Sequence, residues 1–142
     1  AQPGPRIVVF EVGGVIDLGA EALVIDRPFL TIAGQTGPYP GITLIRGGIE
    51  VRTHDVVIRH LRVRPGEAGA AKGSGLDFDG IATIGAHDVV IDHCSLTWAT
   101  DENLSASGPR FVDGGRTMAD FRAATSRRIT FSNNLIAEGL AF

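Results

Sequence analysis

The stretch His54-Asp55-Val56-Val57-Ile58-Arg59-His60 returns as His87-Asp88-Val89-Val90-Ile91-Asp92-His93, with six of seven residues identical at an offset of 33. Fainter copies occupy residues 29–34, at an offset of 26 before the first copy, and residues 127–133, at an offset of 40 after the second. Internal repeats with periods of 20–50 residues are typical of solenoids, in which each unit buries its apolar face against its neighbours. The repeats therefore predict a stack of similar coils.

Each unit has the pattern of a strand, a corner and a second strand. Val56 and Ile58 share one face by period-two alternation. After His60 the parity of the apolar positions switches, so that Leu61 and Val63 share a face. Such a switch keeps apolar side chains inside while the chain turns. We therefore predict an all-β parallel β-helix, with residues 1–142 as a single domain and insertions at about residues 66–75 and 101–126.

Two alternative folds fit the sequence less well. A β-sandwich would show tight two-residue hairpin loops between its strands, and these are not evident. A Rossmann-type fold requires amphipathic helices between its strands. The only helix candidate is residues 117–125, which open with Thr117-Met118-Ala119-Asp120 in the form of a capping box.

The composition narrows the functional classes. A length of 142 residues with 44% hydrophobic and 20% charged residues is typical of one globular domain. A net charge of −3 argues against a protein whose main task is to grip nucleic acid, and no apolar run approaches the roughly 18 residues of a membrane span. The single Cys94 excludes an internal disulfide and any multi-cysteine metal site.

Two acidic groups are candidates for a metal site. In an extended Asp77-Phe78-Asp79-Gly80 segment, both carboxylates point to one face and Phe78 points into the core. Hard cations such as Ca²⁺ prefer such oxygen ligands, whereas the alternative interpretation is a solvated acidic edge. The second group is Asp101-Glu102, at the start of the longer predicted insertion.

Two kinds of basic residue have candidate roles. The 33-residue offset places Asp79 level with Arg46 of the preceding coil, so Arg46 either pairs with Asp79 or binds a substrate carboxylate beside it. His60 and His93 lie at successive corners, in register with Asn133. We expect these corner side chains to bond backbone groups that the strand ladders leave unpaired.

Several motifs resemble those of the pectate lyase family (polysaccharide lyase family 1). Ile91-Asp92-His93-Cys94-Ser95 resembles the W-I-D-H-C signature of that family, and Asp77-Phe78-Asp79-Gly80-Ile81 resembles the strand that supplies its calcium-binding aspartates. Residues 13–16 and 30–36 resemble its early coils. The resemblance covers essentially the whole chain, in a consistent order.

The resemblance implies a secreted right-handed parallel β-helix that cleaves polygalacturonate, or another acidic polysaccharide, by Ca²⁺-dependent β-elimination. By this resemblance Asp79 matches a calcium ligand, and Asp77 matches the partner aspartate that some members have. Asp101 and Glu102 lie where the family supplies its remaining ligands. The resemblance implies neither a nucleic-acid partner nor a membrane partner.

One departure from the family concerns the catalytic base. The family places an arginine base in an R-x-P-x-x-R motif, which these 142 residues lack. We therefore expect the base to lie beyond Phe142, the chain to be a central part of a longer enzyme, and the isolated chain to be inactive. We also expect self-association, or a partner chain, through open β-helix ends.

Other functions remain as alternatives to the lyase. The first is a non-catalytic β-helix module that binds acidic glycan or has a structural role. Another β-helix enzyme, such as a uronate epimerase or a pectin esterase, would need a different set of residues, which the sequence does not show.

Overall fold

The computed structural model describes residues 4–71, 75, 77–108 and 117–140, and the chain winds there through three parallel sheets in a constant order. The first sheet contains β1 (Arg6–Val8), β4 (Leu30–Ala33), β7 (His54–Arg59), β10 (His87–Asp92) and β13 (Arg127–Ser132). The second contains β2 (Gly14–Asp17), β5 (Ile42–Ile45), β8 (Leu61–Arg64), β11 (Ser95–Thr97) and β14 (Leu135–Ala137). The third contains β3 (Leu23–Ile25), β6 (Ile49–Val51), β9 (Ile81–Ile84) and β12 (Leu104–Ser107). This architecture confirms the predicted parallel β-helix.

The register of the first sheet reproduces the offsets of the sequence repeat. Val56 of β7 pairs with Leu30 of β4 on one side and with Val89 of β10 on the other, at offsets of 26 and 33. Val89 in turn pairs with Ile129 of β13, at an offset of 40. The unequal offsets are therefore compatible with one coil geometry, because the additional residues lie outside this sheet.

The third sheet was not predicted from the repeat. Its strand β12 lies inside the stretch 101–126 that the sequence indicated as an insertion, and it pairs along its length with β9. The additional residues of this coil therefore lie between β12 and β13. Leu104-Ser105-Ala106-Ser107 has no β-branched residue and little hydrophobicity, so its strand conformation depends on pairing with β9 more than on local preference.

The core is formed by the inward faces of the three sheets. Its fully buried side chains are Ile49, Val51, Val56, Ile58, Val63, Ile81, Val89, Ile91 and Leu96. Cys94 is also buried among them, as predicted, and its burial raises the pKa of the thiol. Phe78 is only 8% exposed, so it is buried, but it lies outside this core cluster and lines the cleft together with Asp77 and Asp79.

The corner between the first and second sheets has a left-handed backbone in successive coils. His60, His93 and Asn133 have φ values of 55°, 54° and 52°, which lets the chain turn sharply after each strand. The rings of His60 and His93 stack with centroids 4.9 Å apart. The predicted corner position of these residues is confirmed.

The predicted role of the corner histidines needs correction. Both rings are exposed, and His93 Nδ1 lies 2.9 Å from the Asp92 carboxylate instead of bonding the backbone. The expected backbone bonds are made by Asn134, whose side chain accepts from the Cys94 N–H at 2.8 Å and donates to the Ile91 carbonyl at 2.9 Å. An amide side chain supplies both a donor and an acceptor, which suits it to this position.

The predicted helix is confirmed as α1 (Met118–Ala124). The Thr117 hydroxyl accepts from the Asp120 N–H, and the Asp120 carboxylate accepts from the Thr117 N–H, which forms the predicted capping box. In the part of the chain that the structure describes, no helix has the length and apolar character needed to cross a membrane.

Candidate functional site

The acidic cluster comprises Asp79, Asp101 and Glu102, which lie at the turn between the second and third sheets. Asp79 precedes β9, and the other two precede β12 in the next coil. Because β9 and β12 pair in parallel, residues that precede the two strands meet at the same edge. One carboxylate oxygen from each of the three residues lies within 4.8 Å of the others.

A glycine lets the two turns approach so closely. A Cβ atom at Gly80 would clash with the carbonyl oxygen of Asn103 in the next coil. Because glycine has no Cβ atom, the backbone at Gly80 can pack directly against the backbone of the next coil, which brings the neighbouring Asp79 carboxylate close to that coil. The sequence showed this glycine, but not what it packs against.

Both oxygens of the Asp79 carboxylate accept hydrogen bonds from the coil above. Oδ1 accepts from the Glu102 backbone N–H at 3.1 Å, and Oδ2 accepts from the Ser105 hydroxyl at 3.0 Å. These two bonds fix the orientation of the carboxylate relative to Asp101 and Glu102. Ser105 was not among the residues that the sequence indicated.

The turn that carries Asp101 and Glu102 is itself braced by two side chains. Asn103 accepts from the Ala99 N–H and donates to the Ala137 carbonyl, each at 3.0 Å. The Thr100 hydroxyl accepts from the Phe78 N–H at 2.8 Å, which ties this turn to the segment that contains Asp79. The polar run Thr100 to Asn103 was the available sequence signal, but it did not indicate these partners.

The acidic cluster borders a cleft with an acidic lining. The cleft has a volume of about 150 Å³, and none of the described residues that line it is basic. Burial, followed by the hydrogen bond and charge of Asp79 and then those of Asp101, raises the pKa of Glu102 to about 7. Three carboxylates with hard oxygen donors, close together and partly desolvated, fit a Ca²⁺ ion.

Asp77 lies in the same cleft but outside the acidic cluster. It is exposed and lines the cleft, whereas the three carboxylates within 4.8 Å of one another belong to Asp79, Asp101 and Glu102. The structure thus brings together three of the four predicted metal ligands and places the fourth at the rim.

Arg46 does not occupy the place that the sequence indicated. The third sheet pairs Ile49 with Ile81, an offset of 32 instead of 33, so Arg46 is not level with Asp79. Its Nε lies 3.1 Å from the Asp17 carboxylate, and the residue does not line the cleft. The offset of the first sheet does not transfer to the third because the two sheets are separated by loops of different length.

Glu50 and Arg52 are two further charged residues near the cleft that sequence reasoning missed. Glu50 lines the cleft, and Arg52 Nη2 lies 2.5 Å from its Oε2. Their spacing of two residues in and just after β6 places both on the outer face of the third sheet.

Comparison with known proteins identifies relatives along nearly the whole chain. The chain is 36% identical over 141 residues to "Probable pectate lyase C" of Aspergillus flavus, which covers 99% of this chain and 28% of that protein. It is 37% identical over 136 residues to the protein of the same name from Emericella nidulans, covering 95% of this chain and 27% of that protein. With "Pectate lyase 5" of Ambrosia artemisiifolia it shares 30% identity over 148 residues, or 97% of this chain and 33% of that protein.

These matches cover nearly all of this chain but only part of each relative. No family model matches the chain, and no solved structure matches it significantly. The chain spans about a third or less of the length of the curated relatives described above. The similarity nevertheless runs along nearly all of its residues and confirms the resemblance seen in the motifs. The chain is therefore the homologue of a segment of curated proteins that are named pectate lyases.

Proposed function

We propose that this chain is the calcium- and pectate-binding part of a secreted lyase that cleaves polygalacturonate by β-elimination. The observation that carries the proposal is the acidic cluster, in which Asp79, Asp101 and Glu102 converge from two successive coils. In a homologue of pectate lyases, a cluster of this kind supports a Ca²⁺ site beside a polyuronate-binding cleft.

The three clustered carboxylates are the proposed calcium ligands, and Asp77 is a proposed ligand from the rim of the cleft. Asp79 is the central ligand, because bonds from Ser105 and from the Glu102 N–H orient its carboxylate. Asp101 and Glu102 enter the site from one turn, whose conformation Asn103 stabilises. Several negative oxygens that are already in position raise affinity for a divalent cation.

The reaction removes the proton on the carbon next to a uronate carboxylate, forms a carbon–carbon double bond and expels the glycosidic oxygen. The acidic cluster would hold a calcium ion, whose positive charge would compensate the negative charge that develops beside that carboxylate. The described residues of this chain position the ion and the uronate. The family's R-x-P-x-x-R motif does not occur in the sequence, so we assign no base.

A calorimetric titration with CaCl₂ tests the metal site directly. We expect saturable Ca²⁺ binding to the unmodified chain and its loss in an Asp101→Ala/Glu102→Ala double variant. Asp17→Ala is a matched control, because that carboxylate pairs with Arg46 and lies away from the cluster. Equal Ca²⁺ binding by the double variant and the control would contradict the proposal.

The ultraviolet absorbance of the unsaturated product tests the reaction. Calcium-dependent binding of trigalacturonate without a rise in absorbance would support the alternative, a glycan-binding module. A calcium-dependent rise in absorbance would establish the lyase and would require a base among the arginines of this chain.

A further inference from the structure

We infer that Arg52, positioned by Glu50, binds a second uronate carboxylate of the substrate beside the calcium site. This inference rests on the proposed function, because it concerns an anionic glycan in the same cleft. Its own basis is the ion pair on the outer face of the third sheet.

The strand registers place Arg52 on the face that the substrate would cover. Glu50 of β6 pairs with Ala82 of β9, and Ala82 pairs with Ser105 of β12. These residues form one row across the sheet, and Ser105 at its end contacts Asp79. Arg52 lies two residues beyond Glu50, just after the end of β6, and it reaches the cleft through its contact with Glu50, since it is not itself a lining residue.

The distance between the two sites suits neighbouring sugars of one chain. Strands lie about 4.8 Å apart and rise about 3.3 Å per residue, so the Cα atoms of Arg52 and Ser105 are about 12 Å apart. An extended arginine side chain and one sugar ring together span such a distance. Ala82 lies between them, and its small, buried side chain lines the cleft.

The charge distribution explains why the cleft needs this cation. Asp77, Asp79, Asp101 and Glu50 all line it, so it repels a polyanion. A calcium ion compensates the carboxylates of the acidic cluster, and Arg52 lies at the other end. Among the ion pairs of the described residues, Arg52 supplies the only guanidinium that is paired with a residue lining the cleft.

Glu50 pre-organises Arg52 without using all of its donors. The Glu50 Oε2 atom is shielded from solvent and accepts no hydrogen bond from the described residues, but Arg52 Nη2 faces it as an ion-pair partner at 2.5 Å. The Arg52 side chain remains 53% exposed. Since a guanidinium has five N–H donors in a planar fork, the remaining donors can bind a carboxylate.

The experiment measures the binding of trigalacturonate in saturating CaCl₂ by calorimetry. We expect Arg52→Ala to weaken this binding about tenfold, since a charge-assisted contact is lost. Arg52→Lys should keep part of the affinity. Arg46→Ala is the matched control, because Arg46 pairs with Asp17 away from the cleft, and it should leave the affinity unchanged.

Two additional measurements keep the result interpretable. Arg52→Ala leaves the Glu50 carboxylate without its charged partner, so Glu50→Gln/Arg52→Ala serves as the variant if the single substitution does not fold. Fully methyl-esterified trigalacturonate is the second probe. Because it has no free carboxylate, the difference between Arg52→Ala and the unmodified chain should disappear with it.

The outcomes separate this inference from the proposed function. Unaltered trigalacturonate affinity in both Arg52 variants, with Ca²⁺ binding intact, would overturn the role of Arg52 and leave the calcium site standing. Failure of the unmodified chain to bind trigalacturonate in a calcium-dependent manner would overturn both. A loss in Arg46→Ala equal to that in Arg52→Ala would return the role to the residue that the sequence first indicated.

Discussion

This solenoid contains two sets of carboxylates with different neighbours: Asp88 and Asp92 in β10, and the acidic cluster beside the third sheet. On the first sheet, Asp88 accepts two bonds of 2.6 Å from the guanidinium of Arg128. At the end of the same strand, β10, Asp92 accepts from the Ser132 hydroxyl and the Asn133 amide. In the acidic cluster beside the third sheet, three carboxylates instead lie within 4.8 Å of one another.

The pKa values move in opposite directions for that reason. The bonds from Arg128 and then from His87 hold the pKa of Asp88 well below its usual range, and those from Asn133, His93 and Ser132 do the same for Asp92. Burial and its acidic neighbours raise the pKa of Glu102 to about 7. Carboxylates paired with cationic or amide donors stabilise the coil stack, whereas carboxylates crowded against one another favour the binding of a cation.

The largest expected effect comes from removing one carboxylate of each set. Asp79→Ala should abolish measurable Ca²⁺ binding while the chain stays folded, because the central ligand is lost. Asp92→Ala should leave Ca²⁺ binding intact and lower the melting temperature, because the partners in Ser132 and Asn133 lose their acceptor. Calorimetry and thermal melts measure both. Loss of Ca²⁺ binding in Asp92→Ala but not in Asp79→Ala would contradict this distinction between the two sets of carboxylates.

A smaller effect is expected from the residue that orients Asp79. Ser105→Ala should weaken Ca²⁺ binding by about 10–100-fold, the usual cost of losing a partner behind a metal ligand. Ser107→Ala is the matched control on the same strand, because its hydroxyl contacts the Thr83 carbonyl and not Asp79. The two calcium titrations should differ. Equal affinities would show that the Glu102 N–H alone orients the carboxylate.

The lowered pKa values of Asp88 and Asp92 predict how the stability of the protein depends on pH. A pKa that is lowered on folding contributes stability above the unfolded value, about 3.9 for aspartate, and this contribution is lost as pH falls through the lower folded value. The free energy of unfolding should therefore fall steeply below about pH 4.

Urea unfolding at a series of pH values measures this slope. Asp88→Asn and Asp92→Asn should each make the acid decline shallower, whereas Glu11→Gln, an exposed residue, should not. An unchanged slope in both aspartate variants would mean that other groups control acid unfolding.

The smallest expected effect is at His93. Its side chain is 50% exposed, so His93→Ala should cost about 0.5 kcal/mol or less, in the range of ordinary surface substitutions. Ca²⁺ affinity should not change. Chemical denaturation of the variant provides the measurement, and a loss of several times this size would show that stacking on His60 contributes substantially to the corner.

The sequence alone predicted the features that depend on short-range pattern. Period-two alternation identified the buried faces of β7 and β10, and the offsets of the repeat matched the register of the first sheet. The capping box predicted the start of α1, and the sequence predicted that Cys94 is buried. Local pattern is sufficient here because side-chain direction in a strand is set by position alone.

The tertiary structure decided which distant residues meet. The pairing of Arg46 with Asp17 and the pairing of Glu50 with Arg52 were absent from the sequence interpretation. The grouping of Asp79 with Asp101 and Glu102 was implied only by the family resemblance, and not by local pattern. β12 was missed as well, since its small polar residues have little strand preference of their own. In a solenoid, the level at which one coil meets the next depends on how many residues each turn contains. A register found for one sheet therefore does not carry over to another, and a difference of one residue is enough to change which side chains lie level with each other.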